Sequence, residues 1–449
     1  MKTRPKILVV CPTAWERTEI AKPELQKQFD FVVCCEELYD SIGVWNALRF
    51  DVHKYLQDVA NKHRDGGFSA VLGTGDYPGC MFSAYFGEAF GLPTPSLREA
   101  LLLSHKFYSR EIQRQLVPEA TPRFALLDPH LPLEPLPFSF PFFVKPVKGT
   151  MSIRAQMVHD HDELRQAVGL SYREQLRAWV LLKPYAQLLG MIRDKPILPH
   201  CFVAEAPLEG FQVTVDGFVQ NGISTVLGIT DSIMYPGTMS FARFEYPSNL
   251  PDSVQERMIA ITNRLMQGSG FNHSCYNVEF FYDDATDRLS VIEINPRMSY
   301  QFSDLFAHVD GRSSFSVQLA LAMGQAVDWK PRQGSAKAAA SFVMRRFQDA
   351  AVISVPSPER IAEVEKRFPA THVKVLCAPR ERLSDHDQDV GSFRYCIVNM
   401  HASSREQLAA DYADACDLLR FEFAEPHTLF KRWTRRAAAA NVQQSSRAP

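Results

Sequence analysis

The segment from residue 276 to residue 297 constrains the fold more than any other part of the chain. Apolar and polar residues alternate in two runs, separated by a polar turn at residues 283–288. This pattern predicts a β-hairpin with one buried face. A turn centred within those residues places Glu279 opposite Glu293, and Asn295 joins the same face two residues on. The apolar residues of the hairpin are then expected to face a core: Val278, Phe280, Ile292 and Ile294.

Two opposed carboxylates need a positive charge between them. Glu279 and Glu293 would lie about 5 Å apart and repel each other. A divalent cation with oxygen ligands meets this need, and Mg2+ takes few protein ligands and fills the rest with water and phosphate oxygens. Together with Asn295, the pair predicts a site for Mg2+, or Mn2+ in its place, beside a nucleotide polyphosphate. The alternative is a solvated strand face whose charges pair with Arg288 or with lysines elsewhere.

The chain has 449 residues, more than one hydrophobic core usually serves, so several domains are expected. Residues 1–100 alternate short apolar strands with longer mixed segments, which is typical of a parallel sheet covered by helices. They are predicted to form a Rossmann-like βαβ domain. No G-x-G-x-x-G follows the first strand, which argues against a nicotinamide-dependent dehydrogenase.

The middle of the chain has a different pattern. Six prolines between residues 128 and 146 predict an extended connector rather than a helix or a central strand. A helix is predicted over residues 160–177, and period-two alternation predicts strands at 202–205, 212–219 and 289–295. This region is expected to be an antiparallel α+β domain.

Charge and composition exclude several classes of protein. The formal net charge is −2, so no global field draws in nucleic acid or an anionic membrane surface. The longest apolar stretches are shorter than the roughly 20 residues of a membrane span, and no secretion signal is visible. The nine cysteines form no CxxC motif. A soluble cytoplasmic protein with reduced thiols is therefore expected.

Two further segments carry groups that suit a nucleotide. Lys145 ends an apolar strand and enters a loop whose backbone amides, hydroxyls and second lysine can hold phosphates. The polar and flexible residues of this loop are Lys148, Gly149, Thr150 and Ser152. Residues 203–215 form a strand, a glycine turn and a second strand, which can offer backbone groups to an adenine edge. The alternatives are solvent-exposed lysines, including Lys106 on a helix, and an ordinary hairpin.

The order and spacing of these features resemble the ATP-grasp superfamily, closest in layout to biotin carboxylase-like carboxylate-amine ligases of the L-amino acid ligase type. The specific part is the E-x-N-P-R motif at residues 293–297, about a dozen residues after a V-E-F strand. The resemblance implies a multidomain α/β and α+β chain. Its parts would be a substrate-side Rossmann-like domain at 1–100, an ATP-grasp domain at 101–335 with a lid at about 141–207, a C-terminal α+β domain at 336–436 and a disordered tail at 437–449.

The resemblance also implies roles for individual residues. The phosphates of ATP would contact Lys106 and Lys145, and the loop that holds Lys148, Gly149, Thr150 and Ser152 would close over them. Adenine would be held by Glu205 and by the backbone at Ala206 and Leu208. Gln212 stands where the family commonly has a ribose-binding glutamate. The metal ligands would be Glu279, Glu293 and Asn295, while Lys145 and Arg297 would act in catalysis, with Arg297 facing the acyl phosphate and the carboxylate substrate.

The implied reaction phosphorylates a small-molecule carboxylate with ATP and passes the acyl group to an amine, releasing ADP and phosphate. Asp304, His308 and Arg312 either line the substrate pocket or face solvent. Two rival functions stay open: an ATP-dependent carboxylase of the biotin carboxylase type, which must bind bicarbonate and biotin, and a non-catalytic nucleotide-binding module. Many relatives are dimers, so the resemblance allows a homodimer.

Overall fold

The chain divides into two compact units. Unit 1 consists of residues 1–232 and 246–334, and unit 2 consists of residues 233–245 and 335–449. The structure, a computed structural model, describes residues 4–36, 49–131, 136–149, 154–169, 172–386 and 391–424. Among the predicted features, Thr150, Ser152 and the tail at 437–449 lie outside the described residues.

Unit 1 begins with a three-stranded parallel sheet. Its elements along the chain are β1 (Lys6–Val10), α1 (Ala14–Ile20), α2 (Pro23–Gln28), β2 (Asp30–Cys34), α3 (Val52–His63), β3 (Phe68–Leu72) and α4 (Gly79–Phe90). The strand order is β2-β1-β3, and both pairings are parallel. Leu8, Leu56 and Phe86 are fully buried between the sheet and its helices. The predicted βαβ arrangement is confirmed.

Two helices then meet at a sharp break at His105. They are α5 (Leu97–Ser104) and α6 (Lys106–Leu116), followed by a short 3-10 turn at Pro118–Ala120. His105 has extended backbone angles, and its imidazole accepts a hydrogen bond of 3.4 Å from the Tyr108 amide. Burial lowers the pKa of His105 to about 3, so the ring stays neutral and can accept that bond. The break places Lys106 in the first turn of α6.

A four-stranded antiparallel sheet follows. Its elements are β4 (Phe124–Leu127), β5 (Phe142–Pro146), β6 (Gln156–Val158), α7 (His161–Val168), α8 (Tyr172–Ile192) and β7 (Phe202–Glu205). The strand order is β4-β7-β5-β6, with Phe142, Val144 and Phe202 in its core. The prediction of one helix over residues 160–177 was wrong, because α7 ends before Gly169 and α8 is a separate helix of 21 residues.

A second antiparallel sheet of unit 1 carries the predicted hairpin. The next elements are β8 (Phe211–Gln220), β9 (Ile223–Met234), β10 (Phe241–Tyr246), α9 (Asp252–Gly268), β11 (Ser274–Asp283), β12 (Arg288–Asn295), a 3-10 turn at Tyr300–Phe302, α10 (Ser303–Asp310) and α11 (Ser314–Ala322). Four of the strands are neighbours in the order β12-β11-β8-β9. Val215, Val278 and Phe280 on the apolar face share a core with Met258 and Leu265 of α9.

Unit 2 has its own core. Its remaining elements are β13 (Ala338–Arg346), β14 (Ala351–Ser354), α12 (Pro358–Arg367), β15 (His372–Val375), a 3-10 turn at Leu383–Asp385, β16 (Phe393–Ala402), α13 (Arg405–Leu418) and β17 (Glu422–Ala424). The strands β10-β13-β16-β15 are neighbours in that order, and β14 pairs with β17. Phe342, Val398 and Leu408 pack together between the sheet and α13. The mixed α+β character predicted for this part of the chain is confirmed.

The helices and the cysteines bear on membrane insertion and on covalent cross-linking. Among the helices of the described residues, none combines the length and the apolar character that a bilayer crossing needs. All nine cysteines are free thiols, and eight of them are buried.

Candidate active site

The polar face of the β12-β11-β8 strands gathers the predicted metal ligands. Glu279 pairs directly with Glu293 across the hairpin, so the predicted register is confirmed at this position. Glu279 also pairs with Thr214 on its other side. One step along, Asn277 pairs with Asn295. Because side chains alternate along a strand, these residues share one face of the sheet while the apolar residues share the other.

A β-bulge next to this carboxylate pair changes the apolar face. Beyond Glu279 the register shifts, so that Phe280 pairs with Val291 and leaves Ile292 as the extra residue. Val291 is fully buried in the core, whereas Ile292 is half-buried and lines a small pocket. The prediction that Ile292 faces the core was therefore wrong. At the bulge, the Ile292 carbonyl accepts hydrogen bonds from Arg110 and Lys145.

Three side chains surround the carboxylate pair. Lys106 Nζ lies 3.1 Å from a carboxylate oxygen of Glu293 and 2.9 Å from the Gly149 carbonyl oxygen. The amides of Gln212 and Asn295 donate to the two carboxylate oxygens of Glu279, at 3.0 and 3.2 Å. Burial, followed by the like charge of Glu293, raises the pKa of Glu279. The positive charges of Arg297, Lys106 and Lys145 oppose this rise.

Arg297 and Asp216 extend this face toward the end of β12. Arg297 donates to the Asn295 side-chain oxygen at 3.3 Å and to the Met298 carbonyl at 3.1 Å. Asp216 is 2% exposed, and Asn277 donates to one of its oxygens at 3.1 Å. Burial raises the pKa of Asp216 to about 7. The sequence reasoning missed Asp216, although it lies four residues after Gln212 and so on the same strand face.

A buried ion-pair cluster lies beside the carboxylates. Arg110 donates to both carboxylate oxygens of Glu205, at 2.8 and 3.0 Å, and Lys145 Nζ lies 3.0 Å from the second oxygen. Burial alone would raise the pKa of Glu205, but the two cations lower it to about 2. Burial also lowers the pKa of Lys145, against the opposing effect of Glu205. Arg110 was not predicted, although it lies four residues after Lys106 and hence on the same side of α6.

The loop after β3 contributes Asp76 to the site. Lys148 Nζ lies 3.0 Å from the Asp76 carboxylate and 5.5 Å from the centre of the Tyr185 ring. Burial would raise the pKa of Asp76, yet the charges of Lys148 and Arg297 hold it well below its usual range. The sequence offered a signal for this contact, because ligands of parallel sheets bind beyond the carboxyl ends of the strands.

The remaining predicted residues lie on the connection from β7 to β8 and on the segment after β12. The Ala206 amide donates to the Arg123 carbonyl at 2.9 Å, and Leu208 is half-buried. Adenine binding by Glu205, Ala206 and Leu208 stays a prediction. Arg312 donates to the Ser316 hydroxyl and the Asp328 carbonyl, at 3.3 and 3.4 Å. The two other pocket candidates, Asp304 and His308, are half-buried on α10.

Comparison with known proteins identifies this arrangement. A family model described as an ATP-grasp domain matches residues 138–303, which include strands β5 to β12 and therefore the carboxylate hairpin. The chain contains an ATP-grasp domain. The predicted resemblance to this superfamily is thereby confirmed for residues 138–303.

Solved structures with the same fold cover nearly the whole chain. The L-amino acid ligase from Bacillus licheniformis superposes with a TM-score of 0.69 and 16% identity, covering 95% of this chain and 100% of that one. The biotin carboxylase domain of the 2-oxoglutarate carboxylase from Hydrogenobacter thermophilus superposes with a TM-score of 0.64 and 12% identity, covering 95% and 92%. At these identities the likeness shows the fold alone. The predicted fold class, with an ATP-grasp fold between flanking domains, is confirmed.

A curated relative is similar in sequence. The large chain of carbamoyl phosphate synthase from Pseudarthrobacter chlorophenolicus is 26% identical over 226 residues. The matched stretch is 48% of this chain but only 18% of that protein. The matched half of this chain thus corresponds to a small part of a much longer relative.

Proposed function

We propose that the chain is an ADP-forming, ATP-dependent ligase that joins a small-molecule carboxylate to an amine through an acyl phosphate. The observation that carries the proposal is the single polar face on which the opposed pair Glu279 and Glu293 lies beside Lys106, with Arg297 at its end. Two carboxylates for a cation, a lysine for phosphate and an arginine for a carboxylate are the groups that this reaction needs.

The donor set fits a hard divalent cation. Glu279 and Glu293 offer opposed carboxylates, and a cation between them would offset the burial and the like charge that raise the pKa of Glu279. Mg2+, or Mn2+ in its place, would be held by these two residues and Asn295, and it would neutralise phosphate oxygens of ATP. The nearby ammonium groups of Lys106 and Lys145 would contact the same phosphates.

The first chemical step forms the acyl phosphate. A carboxylate oxygen of the substrate attacks the γ-phosphorus of ATP, a new oxygen–phosphorus bond forms, and the bond to the leaving oxygen of ADP breaks. Arg297 has a planar guanidinium that can hold the carboxylate through two hydrogen bonds, which orients the attacking oxygen. Lys145 is fixed by Glu205 and the Ile292 carbonyl, so its charge is already placed before ATP binds.

The second step transfers the acyl group. The amine attacks the carbonyl carbon, phosphate leaves with the bridging oxygen, and the nitrogen gives up a proton. Water would compete with the amine and hydrolyse the acyl phosphate, so the site must be closed during the reaction. The predicted lid at residues 141–207, which carries Lys145 and Lys148, is the segment proposed to exclude water.

ADP release by the purified protein tests the proposal. The assay contains ATP and Mg2+ with amino acids offered singly and in pairs, and it compares the wild type with Glu293→Ala. The control variant is Asp284→Ala in the exposed hairpin turn. We expect ADP release that requires an acid and an amine together, that falls at least about 100-fold in Glu293→Ala, and that is unchanged in the control.

Other outcomes of this assay would assign a different function. A parallel assay replaces the amino acids with bicarbonate and biotin, and ADP release that requires these two compounds would identify a carboxylase. Tight ATP binding with no release in any mixture, those with bicarbonate and biotin included, would leave the ligase unproven and favour a non-catalytic module. Wild-type turnover in Glu293→Ala would overturn the proposed metal site.

The proposed partners are the small-molecule acid and amine. A formal net charge of −2 gives the chain no strong attraction for nucleic acid or an anionic membrane surface. We further propose that the protein acts in the cytoplasm and forms a homodimer. Light scattering coupled to size-exclusion chromatography tests the homodimer, which has twice the chain mass of 50.8 kDa.

A further inference from the structure

A second group of metal-binding side chains lies at one end of the β4-β7-β5-β6 sheet. Asp128 directly follows β4, while His200 and Cys201 directly precede β7. Leu127 and Phe202 are paired in the sheet, so the residues that flank them are neighbours in space. One carboxylate oxygen, one ring nitrogen and the sulfur of these three residues all lie within 4.8 Å of one another. The ring nitrogen and the carboxylate oxygen are 3.6 Å apart.

The types and spacing of these atoms suit a zinc ion. Zinc binds sulfur at about 2.3 Å and nitrogen or oxygen at about 2.0–2.2 Å in tetrahedral sites, which puts neighbouring ligand atoms roughly 3.3–3.7 Å apart. Small side-chain rotations bring atoms within 4.8 Å to that spacing. The His130 ring lies 4.9 Å from the His200 ring, centre to centre, so it or a water molecule can take the fourth position.

The three side chains of the cluster differ in their exposure to solvent. Cys201 is 4% exposed, whereas the side chains of His200 and Asp128 are 33% and 27% exposed. A cation from solvent can therefore contact the exposed His200 and Asp128 first and then bind the buried sulfur of Cys201. A buried thiol is most often an inert part of the core. Here, a carboxylate and an imidazole lie beside it.

We infer that Asp128, His200 and Cys201 form a binding site for a zinc-type divalent cation, with His130 or water as the fourth ligand. This site differs in chemistry from the proposed Mg2+ site, because a thiolate and an imidazole select zinc whereas carboxylates and amide oxygens select magnesium. Binding replaces the sulfur–hydrogen bond by a sulfur–metal bond and releases the thiol proton to solvent.

The position of the cluster gives the cation a structural effect. The Cys201 carbonyl accepts a hydrogen bond of 3.0 Å from the Val147 amide. Lys148, which belongs to the predicted phosphate loop, directly follows Val147 in the sequence. A cation that joins the end of β4 to the start of β7 would fix the position of Cys201, and with it the hydrogen bond to Val147 next to the loop. Binding of the cation is therefore expected to raise the stability of the β4-β7-β5-β6 sheet.

Cobalt substitution in the full-length protein tests this inference. After removal of metals with a chelator, Co2+ is titrated while the sulfur-to-cobalt charge-transfer absorption is recorded, and Zn2+ is then added to displace it. We expect one equivalent of Co2+ with that band in the wild type. The band is expected to be absent in Cys201→Ser, and the affinity should fall at least about 10-fold in His200→Ala and Asp128→Asn.

Two control variants separate this site from the other thiols and from the proposed magnesium site. Cys377→Ser removes a buried cysteine of unit 2 and should keep the band. Glu293→Ala removes a carboxylate ligand of the proposed Mg2+ site, and this variant should also keep the band. Circular dichroism verifies that each variant is folded. His200 is one-third exposed, so His200→Ala tests the inference even if Cys201→Ser does not fold.

Two results would overturn the inference. The first is a folded wild type that shows no cobalt–thiolate absorption at any Co2+ concentration below about 1 mM. Such a result would mean a dissociation constant far higher than these ligands are expected to give. The second is a band that persists at full strength in folded Cys201→Ser or His200→Ala.

Discussion

Arg110 is the residue on which the interior of the candidate site depends most. Its guanidinium donates to both oxygens of Glu205 and to the carbonyls of Val291 and Ile292, and the side chain is 2% exposed. Arg110→Met should lower the free energy of unfolding by about 3–5 kcal/mol, because it leaves the buried Glu205 carboxylate with Lys145 as its only cation and removes one donor from each of two carbonyls. Urea unfolding measures this change.

The same helix offers a matched control for that substitution. Arg114 is exposed on α6, where it lies 5.5 Å from the ring centre of Phe124. Arg114→Met removes the same charge and should cost no more than about 1 kcal/mol. Equal losses in the two variants would mean that the buried ion-pair cluster contributes nothing specific to stability.

The raised pKa of Asp216 predicts that the stability of the folded protein depends on pH. Its ordinary pKa is 3.8, and burial raises it to about 7 in the folded protein. Between these values the folded state binds a proton that the unfolded state has released, so the free energy of unfolding falls as pH rises from about 4 to about 7. Asp216→Asn is neutral throughout and should reduce this fall by a few kcal/mol.

Urea unfolding at pH 4.5, 6 and 7.5 without divalent cations measures the effect. The raised pKa of Glu279 acts in the same direction, so part of the fall should remain in Asp216→Asn. Asp284→Asn, at the exposed hairpin turn, is the control. Parallel pH profiles for Asp216→Asn and the wild type would show that Asp216 does not retain its proton in the folded state.

The sequence predicts residues of this site only where partners are close along the chain. Glu279 and Glu293 belong to one hairpin, so alternation alone pairs them. Arg110 and Glu205 are 95 residues apart, and Asp76 and Lys148 are 72 residues apart. No local pattern couples residues at such distances, because tertiary folding alone brings them together.

At the scale of elements, alternation predicts strands well and their irregularities poorly. The strand at Phe202–Glu205 agrees with its prediction at both ends. The bulge in the hairpin was not predicted, because one extra residue in a strand leaves no mark in composition. The helix α8 extends to Ile192 through Pro184, since its buried residues Tyr185 and Leu188 pack in a core that outweighs the cost of the proline.

The turn from β7 to β8 requires a glycine for two reasons. Gly210 has a φ of 109°, and a Cβ atom there would lie 2.1 Å from the Tyr282 carbonyl oxygen. Gly210→Ala should therefore destabilise the protein by roughly 1–3 kcal/mol. Because Gln212 lies two residues on and donates to Glu279, the KM for ATP should also rise. Thermal unfolding and steady-state kinetics measure the two effects.

A second turn glycine separates steric contact from backbone strain. Gly222 has a φ of 77°, and a Cβ atom there would meet no atom within 4 Å. Gly222→Ala should show only the cost of the backbone conformation, with the KM for ATP unchanged. If the two variants lose equal stability and keep the same KM, the close approach to Tyr282 has no effect on the site.

At the scale of the whole molecule, the proposed reaction leaves an isotopic signature. In an acyl phosphate, the oxygen that bridges carbon and phosphorus comes from the substrate carboxylate, and it departs with phosphate when the amine attacks. A carboxylate substrate labelled with 18O should therefore transfer one labelled oxygen to each phosphate released. Mass spectrometry of the phosphate measures this transfer.

The reciprocal labelling distinguishes ligation from ATP hydrolysis. With unlabelled acid in 18O water, a ligase should release unlabelled phosphate, whereas attack of water on the γ-phosphorus would place the label there. Attack of water on the carbonyl carbon of an acyl phosphate would put the solvent label in the acid, so recovery of the acid also measures how well the closed site excludes water. Phosphate that carries no oxygen from the labelled acid, in a reaction that needs both acid and amine, would exclude the acyl phosphate while leaving the ATP-grasp fold unaffected.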